Sequence, residues 1–200
     1  MPRPSNTQQR REQIVDGMLT VMATTGYARA SIQAIARAAQ LTPGLLHYHF
    51  GSKEQILLAV LQTIEERLAA RYSDRVGSTS NPAQAIDAWI DAHLAIDDTS
   101  DPRFVACWVQ LSALALQLPA VGERYREAIE RDASKLRNLV ETHLHAAGRF
   151  HPDEPDAIAS ALMSAVAGAY QLSLIAPTLT PPGSASAMVK RMSAGLLKIR

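Results

Sequence analysis

The 200-residue sequence predicts an all-α protein of nine helices. Three observations carry that expectation. Apolar residues recur at intervals of three and four in one segment after another, the repeat of a single helix face. Ser, Thr, Asn or Asp often stands just ahead of such a segment, where its side-chain oxygen can accept the free N–H groups of a first turn. No run alternates apolar with polar residues for long and β-branched residues do not cluster, so no strand is expected.

Ser5 and Gln8 form a possible capping box for the first helix, whose apolar stripe is Ile14, Met18, Val21 and Met22 and whose stop is Gly26. Ser31 caps a short second helix carrying Ile32, Ile35, Ala36 and Ala39. Thr42 caps a third, with Pro43 at the first helical position, where a missing N–H costs nothing. Gly51 ends it. Ser52 and Gln55 open a long fourth helix with Ile56, Leu57, Val60, Leu61, Ile64 and Leu68 on one side. After a polar break at 77–80, Asn81-Pro82 starts a fifth helix and Asp101-Pro102 a sixth. The sixth has no charge from Phe104 through Gly122, predicting burial nearly all round, and Pro119 is its expected end. A seventh helix runs from about Val121 to Ala147, with Tyr125, Ile129, Leu136, Val140 and His143 in its stripe, and Gly148 closes it. The eighth starts near Pro155 and ends before Pro177. Ser184 caps the ninth, with Met188, Met192, Leu196 and Ile199 in register.

Composition limits the function classes. The content is 47% hydrophobic and 20% charged, that of an ordinary globular chain with material for a core. The net charge of +1 is unevenly spread. Residues 1–53 hold Arg3, Arg10, Arg11, Arg29, Arg37 and Lys53 against Glu12 and Asp16, a net +4 that leaves −3 for the remainder. A basic head on a mildly acidic body suits a polyanionic partner. The single cysteine, Cys107, allows no intrachain disulfide and fits a reducing cytoplasm, and the polar, basic N-terminus is not a secretory signal. Residues 157–189 carry no charge, but Ala, Ser and Gly dominate them and prolines interrupt them. A spanning helix needs about 20 strongly apolar residues. The stretch Ala157–Ile175 therefore reads as a buried soluble helix, with no membrane partner.

Ser31–Ala39 and Thr42–Phe50, joined by a tight turn around Gln40, have the dimensions of a helix-turn-helix. The second of these helices presents Thr42, Gly44, Leu45, His47, Tyr48 and His49, with Lys53 just beyond. Its first turn offers N–H groups to a phosphate, Gly44 lets a backbone come close, and Tyr48, His49 and Lys53 can donate to phosphates. A helix of this width enters the major groove.

Ser31, Ile35, Ala36, Ala39, Leu41, Thr42, Gly44, Leu46, His49, Phe50, Lys53 and Ile56 resemble the DNA-binding pattern of the TetR family at matching spacing. The segment from Leu41 to Lys53 is the most specific part. The segments Trp108 to Pro119 and Ala165 to Tyr170 look similar to the family's choline-sensing, BetI-like branch. The resemblance implies a helix-turn-helix DNA-binding domain over residues 1–53 and a helical ligand-binding and dimerisation domain over 54–200. It implies DNA contacts from Gln33, Thr42, Pro43, Gly44, Leu45, His47, Tyr48, His49 and Lys53. His47 departs from the Tyr usual in the family, and Gln40 stands where a turn Gly is common. A left-handed backbone at Gln40 would cost about 1 kcal/mol.

The resemblance further implies a pocket among the fifth to eighth helices for a small-molecule effector. Trp89, His93, Phe104, Trp108, Gln110, His143, Met163 and Tyr170 are the candidates there. The tryptophan rings could stack on an apolar or cationic ligand. A satisfied core histidine is the plainer account of His93 and His143. A homodimer face would hold Ala161, Ala165, Gly168, Leu172, Met192 and Leu196, since small residues let helices approach closely. The implied function is a cytoplasmic, ligand-responsive repressor that binds palindromic double-stranded operator DNA as a homodimer, the long fourth helix serving as lever. A DNA-binding protein without a sensor is the alternative. Catalysis is not expected. Cys107 has no adjacent base in sequence, and the pairs His47/His49 and His143/His145 are two residues apart, on different helix faces, so no metal or cofactor is expected.

Overall fold

The computed structural model describes residues 6–149 and 152–198. Among them are nine α-helices and no strand: α1 (Asn6–Thr25), α2 (Ile32–Ala38), α3 (Pro43–His49), α4 (Lys53–Val76), α5 (Pro82–Leu94), α6 (Pro102–Leu114), α7 (Pro119–Ala146), α8 (Glu154–Ile175) and α9 (Ser184–Leu196). A single 3₁₀ turn, Tyr27–Arg29, joins α1 to α2, an element that no sequence pattern predicts. The capping residue Ser5 and the stripe residue Ile199 lie outside the described residues.

Local chemistry accounts for most helix starts. Ser31 accepts from the Ala34 N–H (3.1 Å) and Thr42 from the Leu45 N–H (3.4 Å). Asn81 accepts from Ala83 and Gln84, and Asp101 from Arg103, with a proline at the first helical position after each. At α4 the Ser52 hydroxyl accepts from the Gln55 N–H, while the Gln55 side chain reaches back to the Gly51 N–H. Two boundaries correct the sequence reading. Pro119 begins α7 rather than ending α6, because the first turn of a helix needs no N–H from it. Gly183, at φ 79, holds the cap position of α9; Ser184 is already helical, and its hydroxyl donates to the Pro181 carbonyl.

The chain forms two compact units. The first comprises residues 1–66 and 101–126, so it holds α1–α3, most of α4, all of α6 and the start of α7. Its apolar centre includes Ile14, Met18, Met22, Ile35, Leu46 and Leu111, all fully buried. Here α6 is apolar but not enclosed, contrary to expectation. Only Cys107 and Leu111 are buried on it, and Phe104, Val105, Trp108 and Val109 are half-buried. An uncharged composition says that burial is cheap, not that a neighbour covers every face.

The second unit comprises residues 67–100 and 127–200. There α5, α8 and α9 pack on one another, with Ile86, Trp89, Ile90, Leu162, Val166 and Val189 inside. The α8 helix is long and apolar enough to cross a membrane, yet it is not the fully buried helix expected. Ile158, Ala159, Leu162, Val166 and Tyr170 face inward, whereas Ala157, Ala161, Leu172, Leu174 and Ile175 are exposed.

Candidate nucleic-acid interface

The corner formed by α1, α2 and α3 is built around a close approach. A Cβ on Gly17, in mid-α1, would lie 2.9 Å from the Ile35 carbonyl oxygen and 3.0 Å from Ala39 Cβ. Only glycine lets α1 sit this near α2. Beyond α2 the chain turns sharply. The Leu41 N–H donates to the Ala36 carbonyl (2.9 Å) and the Gln40 N–H to that of Arg37 (3.2 Å). This paired pattern requires a left-handed residue between helix and exit, and Gln40 supplies it at φ 56. The turn aims α3 away from α2, and Leu46 and Phe50 anchor it to the core.

The opposite side of α3 is open. Thr42, Pro43, Gly44, His47 and Tyr48 are exposed, Tyr48 by 80%, and Gln33 is exposed on α2. A Cβ on Gly44 would meet nothing within 4 Å. Leu45 and His49 are half-buried, with the Tyr48 and His49 rings edge to face at 5.0 Å. The end of α3 is clasped by Arg11 from α1, whose guanidinium donates to the His49 carbonyl and lies 4.0 Å from the Phe50 ring centroid. Lys53 does not extend freely. Its ammonium donates to the Tyr27 carbonyl (2.9 Å) and sits 3.7 Å from the centre of the Tyr27 ring, where burial lowers its pKa. Only charge and aromaticity mark Arg11 and Tyr27 in the sequence, because their partners lie 38 and 26 residues away.

The effector candidates fall in both units. In the second, Trp89 is buried and its indole N–H donates to Asp132 Oδ1 (2.8 Å). His93 packs 4.3 Å from the Trp89 ring. Its Nδ1 lies 2.9 Å from the Trp89 carbonyl oxygen and its Nε2 3.0 Å from Asp132 Oδ2. The Tyr170 hydroxyl donates to the His93 carbonyl (3.2 Å). Burial alone would raise the Asp132 pKa, but the hydrogen bond and charge of His93, with help from Trp89 and Lys135, hold it below the usual carboxylate range. Asp132 is the hub of this cluster, and sequence reasoning does not find it. His143 and Met163 are half-buried.

In the first unit Phe104 is half-buried, and Trp108 stacks at a tilt on Tyr125, 4.8 Å between ring centres. Burial pushes the Tyr125 hydroxyl up to about 12 and the Cys107 thiol likewise. The Gln110 amide is engaged by backbone, accepting from the Tyr27 N–H and donating to the Met22 carbonyl. Of the dimer candidates, Ala161, Leu172 and Met192 are exposed, and Ala165, Gly168 and Leu196 are half-buried.

Comparison with known proteins agrees with this geometry. Residues 14–60 match the profile of the bacterial regulatory proteins of the tetR family, and residues 82–198 that of the C-terminal part of BetI-type transcriptional repressors. The chain belongs to the TetR family. It is a DNA-binding transcriptional regulator of the BetI type, in a family whose members typically respond to ligands. It is similar to the transcriptional regulator BetI of Rhizobium meliloti, 27% identical over 85% of this chain and 80% of that protein. A transcriptional repressor of Mycobacterium tuberculosis is 30% identical over 66% of this chain and 71% of its own length. Among solved structures, a TetR-family regulator from Rhodococcus superposes with a TM-score of 0.83 at 20% identity, over 95% of this chain and all of that one. A regulator from Saccharomonospora viridis, crystallised with choline, gives 0.78 at 18% identity over 95% and 96%. Both establish the fold.

Proposed function

We propose that this TetR-family protein is a cytoplasmic homodimeric repressor that grips a palindromic operator through α3 and releases it on binding a small-molecule effector. The observation that carries the reading is the two-sided character of α3. Leu46 and Phe50 fix it to the core, while Thr42, Gly44, His47 and Tyr48 stand open to solvent. Residues 1–53 supply the DNA-contacting head and 54–200 the sensing and dimerising part. An exposed tyrosine beside histidines is a poor surface for a free protein and a good one for phosphates and base edges.

The open face of α8 and α9 supports dimerisation. Leu172, Leu174, Ile175, Met188 and Met192 are between 42% and 70% exposed, an apolar area that a second copy would cover. Two heads then read half-sites about 34–36 Å apart, or a multiple of that. The choline bound by the Saccharomonospora viridis regulator makes a small organic cation the first effector to try. The relatives are regulators, not enzymes, and no metal-ligating cluster occurs among the described residues.

Footprinting on the DNA flanking the protein's own gene tests the reading. A protected palindrome supplies half-site, spacing and symmetry together; no protection at any concentration that shifts the same fragment removes it. Melting the protein with choline separates sensor from non-sensor, because a specific ligand raises Tm by linkage.

A further inference from the structure

The α6 helix turns three residues, Arg103, Cys107 and Gln110, onto α1. They are spaced four and three apart, so they share one face. Arg103 donates to the Thr20 hydroxyl (2.8 Å) and pairs with Asp16 (2.9 Å). Cys107 Sγ lies 3.6 Å from the Leu19 carbonyl oxygen. Gln110 grips the end of α1 with both ends of its amide. Nε2 donates to the Met22 carbonyl (2.9 Å), and Oε1 accepts from the Tyr27 N–H (3.0 Å). The Gly26 N–H still completes the last turn on the Met22 carbonyl (3.0 Å), but the chain then reverses at Gly26, φ 83, and Gln110 takes up the Tyr27 N–H beyond it. Tyr27 is thus held on one side by Gln110. On its other side it holds Lys53, by carbonyl and by ring.

We propose that Gln110 is a positioning residue for DNA binding: it fixes Tyr27, and Tyr27 fixes the Lys53 ammonium beside α3. The proposal rests on the reading of Lys53 as a phosphate contact. A lysine ammonium on its flexible four-carbon stem has many positions open to it, and the Tyr27 carbonyl and ring hold this one beside α3; without that seat the charge leaves the place where it would neutralise a phosphate. One of its three donors goes to Tyr27, which leaves others for phosphate oxygens. Gln110 shares α6 with Phe104 and Trp108, both effector candidates on the adjoining face. A displacement of α6 therefore reaches a phosphate-binding group through two hydrogen bonds, a shorter route than bending α4.

The test is the salt dependence of binding to a short mixed-sequence duplex, which reads phosphate neutralisation whatever the operator. Lys53→Met should lower the slope of log affinity against log salt by about 0.9 for each phosphate it no longer neutralises. Gln110→Met, close in shape but without the amide, should lower it by the same amount, and the double variant should fall no further than Lys53→Met alone. A Gln110→Met protein with the full wild-type slope, or one whose effect adds to that of Lys53→Met, overturns the proposal and leaves the DNA-binding reading intact. An unchanged slope in Lys53→Met overturns the proposal together with the reading of Lys53 as a phosphate contact. A purely structural Gln110 would lower Tm and leave the slope alone. Should Gln110→Met fail to fold, Tyr27→Leu removes the ring beneath Lys53 and keeps the backbone. It too should lower the slope, and an unchanged slope there overturns the proposal.

Discussion

The two compact units use their polar side chains differently. In the first, those around α3 bond to backbone or face water, and the side-chain pairs stand away from it, where Arg103 meets Asp16 and Thr20. Ser31, Thr42, Ser52 and Gln110 close helix ends, and His47 and Tyr48 point outward from an apolar base. In the second, carboxylate hubs join several of them across the fold. Asp132 joins Trp89 to His93, and Asp91 joins Lys190 (2.8 Å) to Ser186. A surface meant for a polyanion needs donors left unpaired on a rigid support. An interior that encloses polar groups needs each one matched, because an unmatched buried group is expensive. The first unit should therefore tolerate polar substitution on its outer face, and the second should resist loss of any hub.

The sharpest way to break that contrast is Asp132→Ala. It leaves the Trp89 indole N–H and the facing nitrogen of His93 without an acceptor. Each orphaned donor costs roughly 1–3 kcal/mol. Partial exposure of Asp132 lets water soften the loss at His93, so a total of about 2–4 kcal/mol is expected by denaturant unfolding. The salt slope for duplex binding should stay at its wild-type value. A loss under about 1 kcal/mol would mean that the inward network is dispensable and the contrast is false.

Gly17→Ala probes the other unit. Alanine is the better helix former by about 1 kcal/mol. Its methyl, however, would meet the Ile35 carbonyl at 2.9 Å, and backbone cannot swing aside as a side chain can. Overpacking of this kind costs about 1–3 kcal/mol, so the net change is a loss of up to about 2 kcal/mol. Because the methyl pries α1 from α2, duplex affinity should fall while helical circular dichroism is kept. A neutral or stabilised variant with full affinity would show that the corner is looser than its packing suggests.

How far each region is legible in the sequence follows from the same contrast. Ser31, Thr42, Asn81 and Asp101 announce their helices because a cap and its target lie within three residues. The exposed set on α3 is readable for the same reason, since Thr42 and Pro43 set the helix start and the helical repeat sets its faces. Asp132 is not readable. Trp89 precedes it by 43 residues, and nothing local marks a carboxylate on the long, charge-rich α7 as an inward one. Gln110 reads as an effector candidate, yet its amide closes the end of a helix 88 residues upstream. The half-open faces of α6 and α8 read as buried because composition reports what a face can bear, not what covers it.

The smallest expected effect comes from a motif that both units share. The exits from α2 and α7 carry the same pair of hydrogen bonds. Leu41 and Gln40 bond back to Ala36 and Arg37, and Arg149 and Gly148 bond back to Leu144 (2.8 Å) and His145 (3.0 Å). Both need a left-handed residue, Gln40 at φ 56 and Gly148 at φ 67. The helix-turn-helix thus carries a side chain where the other exit has none. A left-handed L-residue costs about 1–2 kcal/mol, while glycine gives back about 0.4–1 kcal/mol through the freedom of the unfolded chain. Gln40→Gly should therefore gain up to about 1 kcal/mol, a rise of about 2–4 °C in Tm. Gly148→Gln should lose a similar amount, since a Cβ there meets nothing within 4 Å and only the backbone term remains. Equal and opposite shifts would mean that the turn in the DNA-binding corner is strained by its residue alone. A Gln40→Gly protein that gains stability but binds duplex less tightly would mean more: the glutamine stiffens the turn that aims α3, and the strain is kept because it serves the contact with DNA.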